Sequence, residues 1–268
     1  MKKLILKSAA LVVAVGLIAF VCVFANSLVG NPVSSALAKK YITEAYGDKN
    51  FEIERITFSF KDGCYHAFIT SPGSIDSDFT LVIDMWGSLC IDTYEDRVLT
   101  GWNTADRIGR DYRKKVDEVL ESRIFPYDEH IGYGDIEFIS SKYKDDPHVP
   151  EYAIITESLM RDAFCDVNEL GAKAGKLTIY IDDDTVTTER MAEILLDIKK
   201  IFDNASVKFH AVDCVLTYPR QEEGANSEER VEVMDFLYSE IYEDGMTERV
   251  AAYDEAAKKY HAKQDAEK

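Results

Sequence analysis

The sequence predicts an α+β protein: a single N-terminal transmembrane helix, then a helix plus four-strand antiparallel meander domain, then a second small α/β sandwich domain. Three observations predict it. The chain opens on Ala9–Ala25, an unbroken run of apolar or small residues. Alternating strand patterns joined by hairpin signals follow between residues 51 and 93. Beyond residue 150, strand-like runs are separated by amphipathic helical stretches.

At about 1.5 Å per residue the N-terminal run spans roughly 25 Å. Leu4–Leu6 and Leu28–Val29 extend it toward the ~30 Å hydrocarbon core, with Lys7 snorkelling to the interface. Lys2, Lys3 and Lys7 precede the run, and the next charges are Lys39 and Lys40. Basic flanks stay cytoplasmic, so the expectation is a single-pass cell-membrane protein with its N-terminus inside and its body extracytoplasmic. A cleaved signal peptide is the alternative. Val23-Phe24-Ala25 is a passable cleavage site and would give a protein secreted from near Ala25. Lipidation at Cys22 fits poorly behind bulky Phe20 and Val21. The domain reading is 1–28 for the lysine-rich start and anchor, 29–125 for the first α+β domain, 126–150 for a connecting region and 151–268 for the sandwich domain.

Gly30-Asn31-Pro32 stops the first helix, and Ser34 or Ser35 caps a second over Ala36–Tyr46. Ile56, Phe58 and Phe60 alternate as a half-buried strand, and Asp62-Gly63 signals a two-residue hairpin. Cys64–Thr70 returns, SPGSIDSD is a polar loop, FTLVIDM is a third strand and LCIDTY a fourth after the turn at Trp86-Gly87-Ser88. In that register Cys64 and Cys90 lie two strands apart, roughly 10 Å, beyond disulfide reach. Asn103 is expected to cap a helix to about Ser122. FPYDEHIGYGD is expected to be an ordered turn region before a short strand at Ile136–Ile139. A strand at Ala153–Glu157, a helix after Asp166, the strand LTIYID, a helix capped by Thr187 or Thr188 and the strand within VKFHAVDCVLTYP follow. Ser227 is expected to open a long helix carrying Val231, Met234, Leu237 and Ile241, with a last helix from Thr247.

Composition bounds function. The 268 residues are 46% hydrophobic and 11% aromatic, which excludes a disordered chain. The formal charge is −18, and past the first three lysines 28 basic residues face 49 acidic ones. Such a body repels phosphate backbones, so no nucleic-acid partner is expected. The cysteines, Cys22, Cys64, Cys90, Cys165 and Cys214, show neither CxxC spacing nor a metal-ligand histidine nearby, and read as small buried hydrophobes.

Candidate chemistry is sparse. Asp76 and Asp78, with Ser74 beside them, offer an oxygen-rich metal or peptide site, set against a turn whose Asp and Ser side chains bond their own backbone. Asp182, Asp183 and Asp184 end a strand before a helix, where acids more often complement the helix N-terminus than hold a cation. Trp86 and Trp102 flank the fourth strand; exposed they would anchor an interface, and core burial is the expectation. None of the five histidines forms a metal-ligand pair, and His66 and His210 are expected on strands, partly buried and hydrogen-bonded. No nucleophile elbow, P-loop or dinucleotide fingerprint occurs, and no cofactor is expected.

VGNPVSS after the apolar run, ALAKKYITEAYG, FKDGCYHAFITSPGSIDSDF, GSLCIDTYEDRV and GWNTADR come in an order that resembles the YfjL-like family of membrane-anchored proteins of Gram-positive bacteria. The likeness is best over residues 26–120 and looser beyond. It implies no activity and no catalytic residues. The helix-plus-meander layout is similar to PepSY and cystatin-like modules, which bind or inhibit peptidases, a likeness of fold alone. The expected function is a non-enzymatic extracytoplasmic module that binds a peptide or protein. A metal-assisted hydrolase using Asp76, Asp78 or Asp182–Asp184 and a surface spacer are the alternatives.

Overall fold

A computed structural model describes residues 13–18, 32–47, 49–219 and 229–266. They form two units. The first runs to Asn103 and takes in Met160–Asp162; the second holds Thr104–Leu159 and the chain from Ala163. The transmembrane helix expected from the sequence is not borne out. No helix among the described residues is long and apolar enough to cross a membrane. Of the apolar run only residues 13–18 are described, as helix. The rest of the run, with Cys22 and Val23–Ala25, lies outside the described residues.

In the first unit, helix α1 (residues 32–46) packs on a sheet of order β1-β2-β3-β4: Glu52–Ser59, Cys64–Ser71, Ser74–Ile83 and Leu89–Asp92. All three pairings are antiparallel. Gly63, at φ +69°, ends the first hairpin turn, but Ser59 pairs with Cys64, so the turn takes residues 60–63 and is not the two-residue turn expected from Asp62-Gly63. Tyr65, Ala67, Ile69, Phe79, Leu81 and Ile83 are the inward residues and share a core with Ala38 and Ile42 of α1. The ladder between β2 and β3 jumps from Ile69↔Phe79 to Ser71↔Ser74. Ile75–Asp78 therefore stand out of the pairing, so the polar loop expected from SPGSIDSD is a wide bulge inside β3. Tyr41 and Tyr46 of α1 both donate their hydroxyl protons to Asp92 of β4, the first at 2.8 Å. Helix and far strand are thereby fastened by a carboxylate.

In the second unit the sheet order is β10-β9-β8-β5, with β8 and β9 parallel and the other pairs antiparallel. The strands are β5 (Asp128–Ile136), β8 (Gly175–Asp182), β9 (Ala211–Thr217) and β10 (Arg230–Leu237), and β6 (Phe138–Ile139) and β7 (Ile154–Ile155) form a small parallel pair beside it. Helices α2 (Trp102–Leu120), α3 (Val167–Ala174), α4 (Thr188–Asn204) and α5 (Met246–Ala266) complete the unit. The core joins Leu177, Ile179 and Ile181 of β8 to Ile108, Tyr112 and Val116 of α2 and Ile194, Leu195 and Ile198 of α4. Helix α2, read from the sequence as closing the first domain, thus packs in the second.

Two stretches differ from expectation for physical reasons. Residues 128–136, expected to be a turn region, are strand β5. Its glycines serve helix packing: a Cβ at Gly134 would meet Val116 Cγ2 at 2.6 Å, and one at Gly132 would meet Leu120 Cδ1 at 2.9 Å. Residues 230–237, expected to open a helix, are strand β10. Its register shifts between Val233 and Phe236, where one extra residue breaks the alternation of the buried Val231, Val233 and Phe236.

Candidate functional site

Strand β4 is the margin of the first sheet. A tight turn delivers it. The Asp84 carboxylate accepts the backbone N–H groups of Trp86 at 2.9 Å and Ser88 at 2.8 Å, and Gly87 takes φ +88°. That turn is preformed by one side chain and lifts the Trp86 indole clear of the fold; it is 88% exposed. Met85, Leu89 and Ile91 are exposed beside it. Leu89 lies opposite Ile83 and Ile91 opposite Val82, so the bulge at Cys90 places these apolar residues on both faces of a strand whose outer backbone groups pair with no other strand among the described residues. Asp84, Asp92, Glu95 and Asp96, against Arg97, neighbour these residues along the chain. Core burial, the expectation for the tryptophans, fails for Trp86. Trp102 is half-buried at the start of α2.

The other sequence-derived candidates are held in structural bonds. Asp76 is buried. Its carboxylate accepts the N–H of Asp162 at 3.0 Å, while the Asp162 carboxylate accepts the N–H of Asp76 at 2.9 Å and the hydroxyl of Ser74 at 2.9 Å. Asp162 sits at φ +60° to close this reciprocal latch. Asn103, expected as a helix cap, instead donates to the carbonyls of Asp76 and Asp78 at 3.1 and 2.6 Å, and accepts from Arg97 Nε at 3.0 Å. Asp78 lines a cleft of about 400 Å³ with Glu54, Arg55 and Arg97. Burial, then the Glu54 and Asp76 carboxylates, push its pKa up.

Asp182, Asp183 and Asp184 diverge. Asp182 accepts from Thr217 Oγ1 at 2.9 Å and faces His130 Nδ1 at 3.4 Å. Asp183 accepts from Thr185 N at 2.8 Å and pairs with the Arg190 guanidinium at 2.9 Å. Thr187, not an aspartate, caps α4. Among the described residues no group of three His, Cys, Asp or Glu is placed to hold a metal ion. His66 bonds Asp62 at 2.8 Å, and His210 bonds the Ala172 carbonyl at 3.2 Å. Of the cysteines only Cys214 is buried; Cys64 and Cys165 are half-buried and Cys90 is exposed, so the buried-hydrophobe expectation holds for one of the four described.

A cluster that sequence reasoning missed lies at the start of β8. The Lys176 ammonium bridges Asp213 Oδ2 at 3.0 Å and Asp235 Oδ1 at 3.3 Å. Tyr152 donates its hydroxyl proton to Asp235, and His210 stacks on Tyr152 with ring centroids 4.3 Å apart. Asp235 sits at φ +56° inside the β10 bulge, its N–H given to Asp213 at 2.6 Å. Burial pushes the Glu137 carboxyl up, against the pull of Lys176. Burial also pulls the Lys176 ammonium down, but Asp213 and Asp235 outweigh it and its pKa is raised. The ammonium occupies the place a cation would take and is internally matched. The signal in sequence was only the odd Lys at an otherwise apolar strand start; its partners are 37 and 59 residues away.

Residues 111–251 match the YfjL-like C-terminal domain and residues 2–89 the YfjL-like N-terminal domain. No curated protein matches. A crystal structure of a DUF5037 family protein from Ruminococcus gnavus is similar at 16% identity, covering 69% of this chain and 74% of that one, with a TM-score of 0.21.

Proposed function

The chain belongs to the YfjL-like family, and on that premise we propose that it is a non-enzymatic binding module that takes an extended segment of a protein partner along β4. The observation that carries this reading is the exposure of Trp86, Met85, Leu89 and Ile91 along a strand margin that pairs with no other strand among the described residues. Main-chain pairing to such an edge supplies affinity, and alternate side chains supply specificity. An exposed tryptophan on a preformed turn is the type of residue that anchors interfaces. The neighbouring acids favour a segment carrying Lys or Arg beside its apolar residues, and they disfavour a second copy of this acidic chain. The short length of β4 and its bulge at Cys90 further restrain self-pairing.

The test is selection from a displayed library of random peptides on the immobilised full chain, followed by titration of the selected peptides into the parent and two variants. Extended, basic and apolar peptides are the expected selection. Trp86→Ala should weaken them by at least about 2 kcal/mol, roughly 30-fold, and Ile91→Lys should abolish binding. Peptides that bind both variants as tightly as the parent would overturn the reading.

A further inference from the structure

A second feature of the first unit stands independently of the partner reading. It lies on the face of the sheet turned away from α1. Ala67, Ile69, Phe79 and Leu81 share the core with α1, so the residues alternating with them, Phe68 and Thr70 of β2 and Asp78 and Thr80 of β3, take the opposite face. Register sets Arg55 of β1 opposite Phe68 and Phe68 opposite Thr80. Thr93 continues the row: its hydroxyl accepts the N–H of Thr80 at 2.8 Å. Glu54 is the extra residue where the β1–β2 ladder shifts, and such a bulge re-aims a side chain. Glu54 and Arg55 both line the resulting cleft of about 400 Å³, together with Phe68, Asp78, Thr80 and Arg97.

The charges of this cleft are unmatched. The Arg55 guanidinium lies over the Phe68 ring, 4.2 Å from its centroid, and the stack orients it. Among the described residues it meets no carboxylate, and the carboxylates of Glu54 and Asp78 meet neither a donor nor a cation. Asn103 fixes the backbone of Asp78 by donating to its carbonyl at 2.6 Å, and accepts from Arg97 Nε at 3.0 Å. Burial, then the Glu54 and Asp76 carboxylates, raise the Asp78 pKa, a crowding that an added cation relieves. An anion alone would face Glu54 and Asp78, and a bare cation would face Arg55. A molecule carrying both signs satisfies all of them. Its size follows from the register. Phe68, which carries the guanidinium, and Asp78 stand one strand apart and two residues offset, about 8 Å on the diagonal. An α-amino acid has its charges about 2.5 Å apart, and with a hydrogen bond of about 2.8 Å at each end it spans a similar distance. Arg55 already covers the Phe68 ring, so the floor offers the ligand's side chain threonines and no aromatic platform. We propose that this cleft binds a small zwitterionic α-amino acid, its carboxylate on the Arg55 guanidinium and its ammonium on Asp78 and Glu54.

The experiment titrates glycine, L-alanine, L-serine and L-threonine into the full chain and follows the backbone amide NMR signals. N-acetylserine and serine methyl ester serve as probes that each lack one charge. The parent, Arg55→Met, Asp78→Asn and the surface control Glu44→Gln are compared, and circular dichroism melts establish that all are folded. Arg55→Met keeps a flexible side chain over Phe68 and removes the charge. The expected result is saturable shifts at Arg55, Phe68 and Thr80 with at least one of the amino acids, none with either blocked form of serine, and an affinity lower by about 10–100-fold in Arg55→Met and in Asp78→Asn but not in the control. No shift with any of the amino acids at about 10 mM would overturn the site. So would a blocked serine that binds as tightly as serine, or undiminished affinity in either cleft variant.

Discussion

Replacing Lys176 by methionine keeps the bulk of the side chain and removes its charge. The ammonium is 18% exposed and Asp213 23% exposed, with contacts of 3.0 and 3.3 Å to Asp213 and Asp235. Breaking a buried pair by removing one partner costs about 3–5 kcal/mol, because the remaining charge is left uncompensated. Asp235 is 43% exposed, so solvent shares the load there and the low end, about 3 kcal/mol, is expected. For a unit of this size that lowers the melting temperature by roughly 6–12 °C. The assay is thermal and urea unfolding of the full chain at pH 7, followed by circular dichroism. The Lys176 pKa is raised in the fold. Its stabilisation is therefore complete below the unfolded lysine pKa and is lost as pH rises through the folded value. The gap between parent and variant should accordingly hold across neutral pH and close only in strong alkali. Adding Asp213→Asn to Lys176→Met should recover part of the loss, since one orphaned carboxylate is gone. A Lys176→Met variant within about 0.5 kcal/mol of the parent, the range of ordinary surface substitutions, would refute the argument that this ammonium holds the three strands together.

Three further outcomes are expected. Gly171→Ala should destabilise by about 1–3 kcal/mol or more, because its Cβ would lie 2.3 Å from the Lys208 carbonyl oxygen and 2.6 Å from Tyr112 Cε2; urea midpoints measure it. Asp162→Ala should cost about 2 kcal/mol through its positive φ and its bonds to Asp76 and Ser74, and Asp162→Gly should cost less because it relieves the backbone while losing the same bonds. Glu137→Gln should stabilise at neutral pH. The Glu137 pKa is raised by burial, so its contribution is full below the ordinary glutamate value and lost as pH rises through the folded one; unfolding at pH 3 and pH 7 should show the two proteins converging in acid.

Local chemistry made the first sheet legible. The alternation of Ile56 and Phe58 gives β1, and Asp62-Gly63 marks the end of the turn into β2. Thr187 and Asp166 cap α4 and α3 as their positions suggest. What failed depended on partners far along the chain. Gly132 and Gly134 look like turn residues until Val116 and Leu120 are seen against them. The bulge at Asp235 disguises β10 because alternation is judged over a few residues only. Asp76 reads as a metal or peptide ligand set against a turn residue bonding its own backbone; its partner Asp162 lies 86 residues on, so neither reading reaches the latch. Trp86 could be placed in a turn from Gly87, whereas its exposure depends on which side of the turn Asp84 braces. The Lys176 cluster draws on β8, β9, β10 and the segment at Tyr152, and no local pattern announces such a convergence.

The most direct test is amide hydrogen exchange of the full chain with and without a selected basic, apolar peptide. The account predicts new protection at the outward amides of Leu89–Asp92, together with a shift of Trp86 emission to shorter wavelength as the indole leaves water. Protection confined to other elements, with Trp86 emission unchanged while the peptide is bound, would contradict it.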